Sequence, residues 1–218
     1  MPPDADFPDI AQQLAERIGT LPASGGRTLI AIAGAPAGGK SSLAGTLVET
    51  LQETGLKAQV VPMDGFHLDN RVLEARGLLA RKGAPETFDA EGFIALIHRI
   101  REGGEVVYPV FDRGRDIAIA GAGVIGSDCK IVIVEGNYLL FDEAPWRFLA
   151  RLWDLSVWIE TPEQVLRDRC IARWLQHGHT PEQARLRAEG NDMKNAQRIL
   201  AARQPADFLI GEIFEAEI

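Results

Sequence analysis

The sequence predicts an α/β fold built on a mostly parallel, five-stranded sheet with helices on both faces. Three observations carry this. Apolar runs such as Thr28–Ala33 and Lys130–Val134 lack the polar alternation of a half-solvated strand and read as strands buried on both faces. Segments with helical apolar spacing separate these runs. Glycine follows the first run directly and closes the other after one acid, at the strand ends where open parallel sheets hold their ligands.

The elements follow in order. Ile10, Leu14 and Ile18 recur at four-residue spacing and predict a helix over residues 9–21, broken by Pro22 through Gly26. Thr28–Ala33 is the first strand. Ser41–Glu53 follows as a helix with Leu43, Leu47, Val48 and Leu51 on one side. Ala58–Pro62 is a second strand ending at Met63-Asp64-Gly65. Residues 70–104 read as largely helical with a break at Gly83-Ala84-Pro85, and Phe93, Ile94, Ile97 and Ile100 form one face. Glu105–Phe111 is β-rich, and Ile117–Gly126 is expected to be an edge hairpin. Lys130–Val134, Leu155–Ile159 and Phe208–Gly211 complete the strands. Thr161-Pro162-Glu163-Gln164 and Thr180-Pro181-Glu182-Gln183 each carry the signature of a capping box with proline at the first helical position. The first should open a long helix running to about Gln176.

Composition narrows the function classes. At 218 residues the chain is expected to form one domain with a full core. Its net charge of −8 argues against sequence-independent nucleic-acid binding, which needs a clustered basic surface. Cys129 and Cys170 form neither a disulfide framework nor a Cys-x-x-Cys pair, which fits a reducing compartment. The stretch Met1–Ile10 holds three aspartates and no basic residue, the wrong charge for a targeting peptide. The longest uncharged stretches, Thr28–Gly39 and Ile117–Ser127, fall short of a membrane span. A cytoplasmic protein with no membrane partner is expected.

Gly34-Ala35-Pro36-Ala37-Gly38-Gly39-Lys40-Ser41 matches the phosphate-loop pattern G-x-x-x-x-G-K-[ST], with a strand before it and a helix after it. Glycines let backbone N–H groups curl around phosphate oxygens, and the helix turns its positive end on the same anion. Lys40 then reaches the β and γ phosphates, and the Ser41 hydroxyl ligates Mg²⁺. This predicts a P-loop NTPase fold with ATP and Mg²⁺ as cofactors. Residues 34–41, with Ser42, are the expected nucleotide-binding set.

Three further features bear on the reaction. Asp64 ends the second strand on the phosphate-loop edge, where its carboxylate can take a proton from an attacking hydroxyl or merely cap a turn. Glu135 ends the strand Lys130–Val134, placed either as a second holder of Mg²⁺ or as a salt-bridging acid. Arg169 and Arg173 lie four apart on one helix face, as a bidentate clamp on phosphoryl oxygens or as a solvated face. His177 and His179 lack a third ligand for a metal.

Together these segments resemble the superfamily of phosphoribulokinases, uridine kinases and bacterial pantothenate kinases. The matching pieces are GAPAGGKSSLA (34–44), VPMDGFHLDN (61–70), RKGAPETFDAEGF (81–93), YPVFDRGRD (108–116), IVIVEGNYLL (131–140), RDRCIARWLQHG (167–178) and GNDMKNAQRI (190–199). Their order spans most of the chain. Within the group the sequence is most similar to small bacterial kinases described as fructose-transport-associated kinases or fructokinases. The resemblance implies one kinase domain over residues 1–218 with a helical lid over roughly 161–195. It implies Asp64 as general base, Glu135 at the magnesium site, and Arg169 and Arg173 in the lid. Asp64, His67, Asp112 and Arg113 would line the acceptor pocket, and Asn195 would lie near the adenine. Two departures stand out. Gly38 replaces a serine frequent in this loop, which should loosen it. Phe111-Asp112-Arg113-Gly114 differs from the Tyr/His-rich segment of uridine kinases. The chain also lacks the long extensions of pantothenate kinases.

The implied activity is phosphorylation of a hydroxyl on a small polar metabolite, a fructose-like sugar, with pantothenate or uridine as alternatives. A homodimer stays open. A guanine-nucleotide switch would need Asn-Lys-x-Asp, which does not occur. A non-catalytic ATP-binding regulatory module is the remaining rival. Retained Lys40, Ser41, Asp64 and Glu135 weigh against it.

Overall fold

A computed structural model describes residues 7–22 and 26–211. The break expected over Pro22–Gly26 falls mostly on residues 23–25, and most of the acidic stretch Met1–Ile10 on residues 1–6; both lie outside the described residues. Five strands form the central sheet: β1 (Thr28–Gly34), β2 (Ala58–Pro62), β5 (Ile131–Gly136), β6 (Leu155–Ile159) and β7 (Phe208–Ile210). All neighbours are parallel, in the order β2-β5-β1-β6-β7. β1 and β5 are buried along nearly their whole length, as their unbroken apolar runs require.

Alternate residues of these strands face two helical layers. Ile30, Ile32, Ile131, Ile133 and Val157 pack under α1 (Phe7–Gly19) and α2 (Lys40–Glu53), which contribute Leu14, Leu43 and Leu47. Leu29, Ala31, Val132 and Val134 pack on the other face. There they meet Phe93, Ile97 and Ile100 of α4 (Ala90–Glu102), Trp146, and Ile199 of α7 (Met193–Ala201). Each large side chain so buried is worth roughly 1.5–3 kcal/mol. The chain from α3 (Asn70–Ala75) to α4 passes through two short 3₁₀ turns at Leu79–Arg81 and Pro85–Thr87, so the break expected at Gly83-Ala84-Pro85 separates two helices and extends well before it.

Two expectations are corrected. Ile117–Gly126 is not a hairpin in itself. It is one strand, β4 (Ile117–Ile125), paired antiparallel with β3 (Val106–Asp112) in a separate two-stranded sheet. Gly121 and Gly123 mark no chain reversal. They serve a register shift between Tyr108 and Val110, and a β-carbon on Gly123 would lie 2.3 Å from the Tyr108 ring. Thr161 does not cap a helix either. α5 (Glu163–Gln176) starts after Pro162 without a side-chain cap, and the buried Thr161 hydroxyl donates to the Gly38 carbonyl at 3.4 Å. A tertiary partner on the glycine loop has taken the group that local pattern assigned to the helix. The second signature holds: Thr180 and Gln183 form a reciprocal capping box at the start of α6 (Pro181–Arg187). A π-helical turn, Ala188–Asp192, joins α6 to α7.

The register sets where the chemistry lies. Glu135 is level with Ile32 on one side and Pro62 on the other, and Gly34 is level with Ile159. The carboxyl ends of β1, β2 and β5 therefore share one edge.

Candidate active site

The loop between β1 and α2 turns tightly. Ala37 (φ 60°) and Gly39 (φ 91°) both adopt the left-handed conformation, and Gly38 N–H donates to the Ala35 carbonyl at 3.1 Å. A β-carbon at Gly38 would come 2.9 Å from that carbonyl, so the glycine suits this tight turn and a serine would have to shift it. No side chain caps the amino end of α2. Its first N–H groups are thus left for an anion, where the helix dipole favours negative charge. Lys40 is buried and donates from Nζ to the Ala35 carbonyl at 2.8 Å. Burial lowers its pKa to about 8, against the opposing pull of Glu135 and Asp64.

Glu135 ends β5 and is buried. Burial pushes its carboxyl above the usual range, while the Lys40 charge and a Ser41 hydrogen bond pull it back. Gly136 follows for a steric reason. A β-carbon there would lie 2.5 Å from that of Met63. Its absence lets the 3₁₀ turn Met63–Phe66 close against β5 and bring Asp64 to the cleft beside Glu135. Gly65 does the same on the other side, where a β-carbon would lie 2.1 Å from the Pro109 carbonyl. The β3–β4 hairpin therefore docks closely, and Arg113 at its tip donates to the Asp64 carboxylate at 3.0 Å.

Ser41 and Glu135 offer only oxygens, with the Asp64 carboxylate beside them in the same cleft. That hard set suits Mg²⁺, which takes one or two carboxylates and completes its octahedron with water and substrate phosphate. No cluster of three or more His, Cys, Asp or Glu that could hold a metal occurs among the described residues. A metal here would draw its remaining ligands from phosphate and water.

Arg169 and Arg173 of α5 close the other wall. They line, with Lys40, Asp64, Arg113 and Glu135, a cleft of about 300 Å³ over the loop. Arg169 Nη1 donates to the Ala37 carbonyl at 3.3 Å, and Arg173 pairs with Asp192 at 3.2 Å. Arg167, on the same helix, pairs instead with Glu163 and Glu189.

The structure thus brings together Pro36 through Ser42, Asp64, Arg113, Glu135, Arg169 and Arg173. Gly34 and Ala35 shape the loop from beneath. Three expected site residues do not line this cleft. His67 packs between the rings of Phe88 and Phe111 and contacts the Asp64 carbonyl through Nδ1 at 2.8 Å. Burial lowers its pKa, which favours the neutral ring. Asp112 is engaged by Arg115, whose hydrogen bonds hold its carboxyl below the usual range. Asn195 is fully buried, and its amide oxygen accepts from Arg81 at 3.0 Å. It holds Arg81 rather than lining the cleft. Sequence reasoning passed over Asn137, which lines the cleft one residue after Gly136, and Asp192, which meets Arg173 from a different helical segment. Position at the end of a buried strand was the available signal for Asn137.

Comparison with known proteins agrees with this geometry. Residues 29–207 match the model of the Phosphoribulokinase / Uridine kinase family. The Escherichia coli (strain K12) protein YggC is 36% identical over 187 residues, covering 84% of this chain and 77% of that one. The Schizosaccharomyces pombe protein named "Putative uridine kinase C227.14" is 33% identical over 205 residues, covering 87% of this chain and 86% of its own. A crystal structure from Silicibacter sp. TM1040, described as a "putative fructose transport system kinase", superposes with a TM-score of 0.89 at 52% identity, covering 94% of this chain and 98% of that one. The chain belongs to the phosphoribulokinase / uridine kinase family, and it is a P-loop kinase that uses ATP with Mg²⁺.

Proposed function

We propose that the chain transfers the γ-phosphoryl group of ATP to a hydroxyl of a fructose-like sugar, with Asp64 as the general base and residues 161–195 as the lid. The observation that carries this reading is the place of Asp64. Its carboxylate shares one cleft with Lys40, Glu135 and both lid arginines, and it faces the side closed by the β3–β4 hairpin. The name of the Silicibacter relative is what favours a sugar over other acceptors.

Bound MgATP supplies the transferable phosphoryl group. Ser41 and Glu135 would hold the metal, and Lys40 together with the first N–H groups of α2 would neutralise the phosphates. Asp64 orients the acceptor hydroxyl and takes its proton as the oxygen attacks. Arg169 and Arg173 neutralise charge that spreads over the equatorial oxygens in the transition state. Nearly all of this is positioning and electrostatics, which is what phosphoryl transfer asks of a protein.

The test is release of ADP with a panel of fructose and other sugars, uridine and pantothenate. Turnover with a sugar alone supports the reading. Turnover with uridine or pantothenate reassigns the acceptor. MgATP binding without acceptor-dependent turnover points to a regulatory module instead.

A further inference from the structure

Arg173 reaches the phosphate cleft from α5, and something must hold it there. A long arginine on a solvent-facing helix samples many rotamers, and an electrostatic stabiliser works only if it is oriented before the charge develops. Asp192 supplies that hold. It is 7% exposed, and no other aspartate among the described residues is buried. One carboxylate oxygen lies 3.2 Å from Arg173 Nη2, and the other accepts from Trp174 Nε1 at 2.7 Å. Adjacent residues of one helix are thus gripped by a single carboxylate.

The grip is anchored from outside α5. Asp192 closes the π-helical turn Ala188–Asp192, a geometry that recurs at functional sites because it re-aims side chains within a helix. Its neighbour Asn191 donates to the Lys82 carbonyl at 2.7 Å and accepts from Arg81 at 2.9 Å. The turn is therefore tied to the loop before α4, and Asp192 holds Arg173 against a fixed point.

We infer that Asp192 is a positioning residue for phosphoryl transfer: it orients the Arg173 guanidinium toward the transferring phosphate without touching substrate. This rests on the proposed clamp role of Arg173. A carboxylate gripping one edge of the guanidinium leaves its remaining N–H donors for phosphoryl oxygens. Loss of the grip should leave ground-state nucleotide binding intact and weaken binding of the transition state.

The experiment needs no acceptor. Affinity is measured by calorimetry for MgADP alone and for MgADP with aluminium fluoride, a mimic of the transferring phosphoryl group. The proteins are wild type, Arg173→Ala, Asp192→Asn, Asp192→Glu and the Arg173→Ala/Asp192→Asn double variant. A misplacement of about 1 Å can cost roughly 100-fold. Asp192→Asn is therefore expected to lose about 10- to 100-fold for the mimic, with MgADP affinity unchanged. The double variant should be no worse than Arg173→Ala, and Asp192→Glu should recover part of the loss. A loss in Arg173→Ala with wild-type behaviour in Asp192→Asn overturns this inference alone. Wild-type behaviour in Arg173→Ala overturns the clamp and this inference together. Parallel losses for MgADP and the mimic in both Asp192 variants, with a lowered Tm, show a structural brace and overturn it as well.

Discussion

Lys40 Nζ donates a 2.8 Å hydrogen bond to the carbonyl of Ala35, so the lysine of the phosphate loop is folded onto the loop that presents it. Its ammonium is buried, and burial holds its pKa at about 8 against 10.5 for the free side chain. The unfolded chain thus keeps this proton more tightly, and Lys40 adds stability as pH climbs between those two values. Phosphate in the loop reverses the bias, because an adjacent anion favours the charged form. MgATP binding above about pH 8 should therefore take up a proton at Lys40 and weaken as pH rises further. Calorimetry in buffers of differing ionisation enthalpy measures the uptake. The part due to Lys40 is the part missing in Lys40→Ala, and identical proton exchange in the two proteins would remove the assignment.

The two arginines on α5 should separate from their neighbour. Arg169 and Arg173 line the cleft, while Arg167 spends its guanidinium on Glu163 and Glu189. Arg169→Ala should lower kcat far more than it raises the acceptor KM, because the charge it answers exists only in the transition state. An arginine in this role is worth about 10³–10⁵ in rate. Arg167→Ala removes only surface pairs and should change kcat by less than about 2-fold. Equal losses at 167 and 169 would show that the helix, rather than the clamp, is what the substitutions damage.

What could be read ahead of the structure follows a physical line. The strand–glycine–Lys-Ser turn was legible because left-handed backbone and an uncapped helix end demand particular residues at fixed spacing; Gly39 and Lys40 obey it, while Ala37 takes the left-handed conformation without a glycine. The parallel strands were legible because burial on both faces leaves unbroken apolar runs. The partner of β4 was not, because glycines at 121 and 123 resemble a turn while the chain reverses earlier, between Asp112 and Ile117. Thr161 was misassigned because a distant carbonyl outbid its own helix. His67, Asp112 and Asn195 were placed by the family resemblance, which carries a residue's place in the chain and not the direction of its side chain. His67 turns between two rings, Asp112 toward Arg115 and Asn195 toward Arg81.

Gly65 offers a test of the hairpin. A β-carbon there would sit 2.1 Å from the Pro109 carbonyl, against the backbone of Pro109 and Val110 with no flexible end to yield. Gly65→Ala should push β3 and β4 away and carry Arg113 off Asp64, while the loop at 34–41 lies on the other side of Asp64 and keeps its shape. Acceptor KM should rise about 10-fold or more with ATP affinity nearly unchanged, on the scale expected when a positioning element shifts by about 1 Å. A matched rise in KM for ATP and acceptor would show that the hairpin does not belong to the acceptor side.

Asp64 and Arg113 make the sharpest prediction. With Arg113 3.0 Å from its carboxylate, Asp64 is engaged before any acceptor arrives. An acceptor hydroxyl must share or displace that guanidinium to reach the base. Asp64→Asn keeps the shape and removes charge and basicity. ATP affinity should stay close to wild type, because the phosphates rest on Lys40 and the amino end of α2. Acceptor phosphorylation should fall by roughly 10²–10⁴, the usual range for general acid–base catalysis. Arg113→Ala should do something different. It frees the base to activate water as well as acceptor, so acceptor-independent ATP hydrolysis should rise while Asp64→Asn/Arg113→Ala returns it to the background. A turn-capping Asp64 makes the opposite set of claims. Asparagine caps almost as well as aspartate, so turnover would survive Asp64→Asn, and removal of Arg113 would leave hydrolysis unchanged. Calorimetry for ATP, with ADP release measured in the presence and absence of acceptor on the same three proteins, decides between the two.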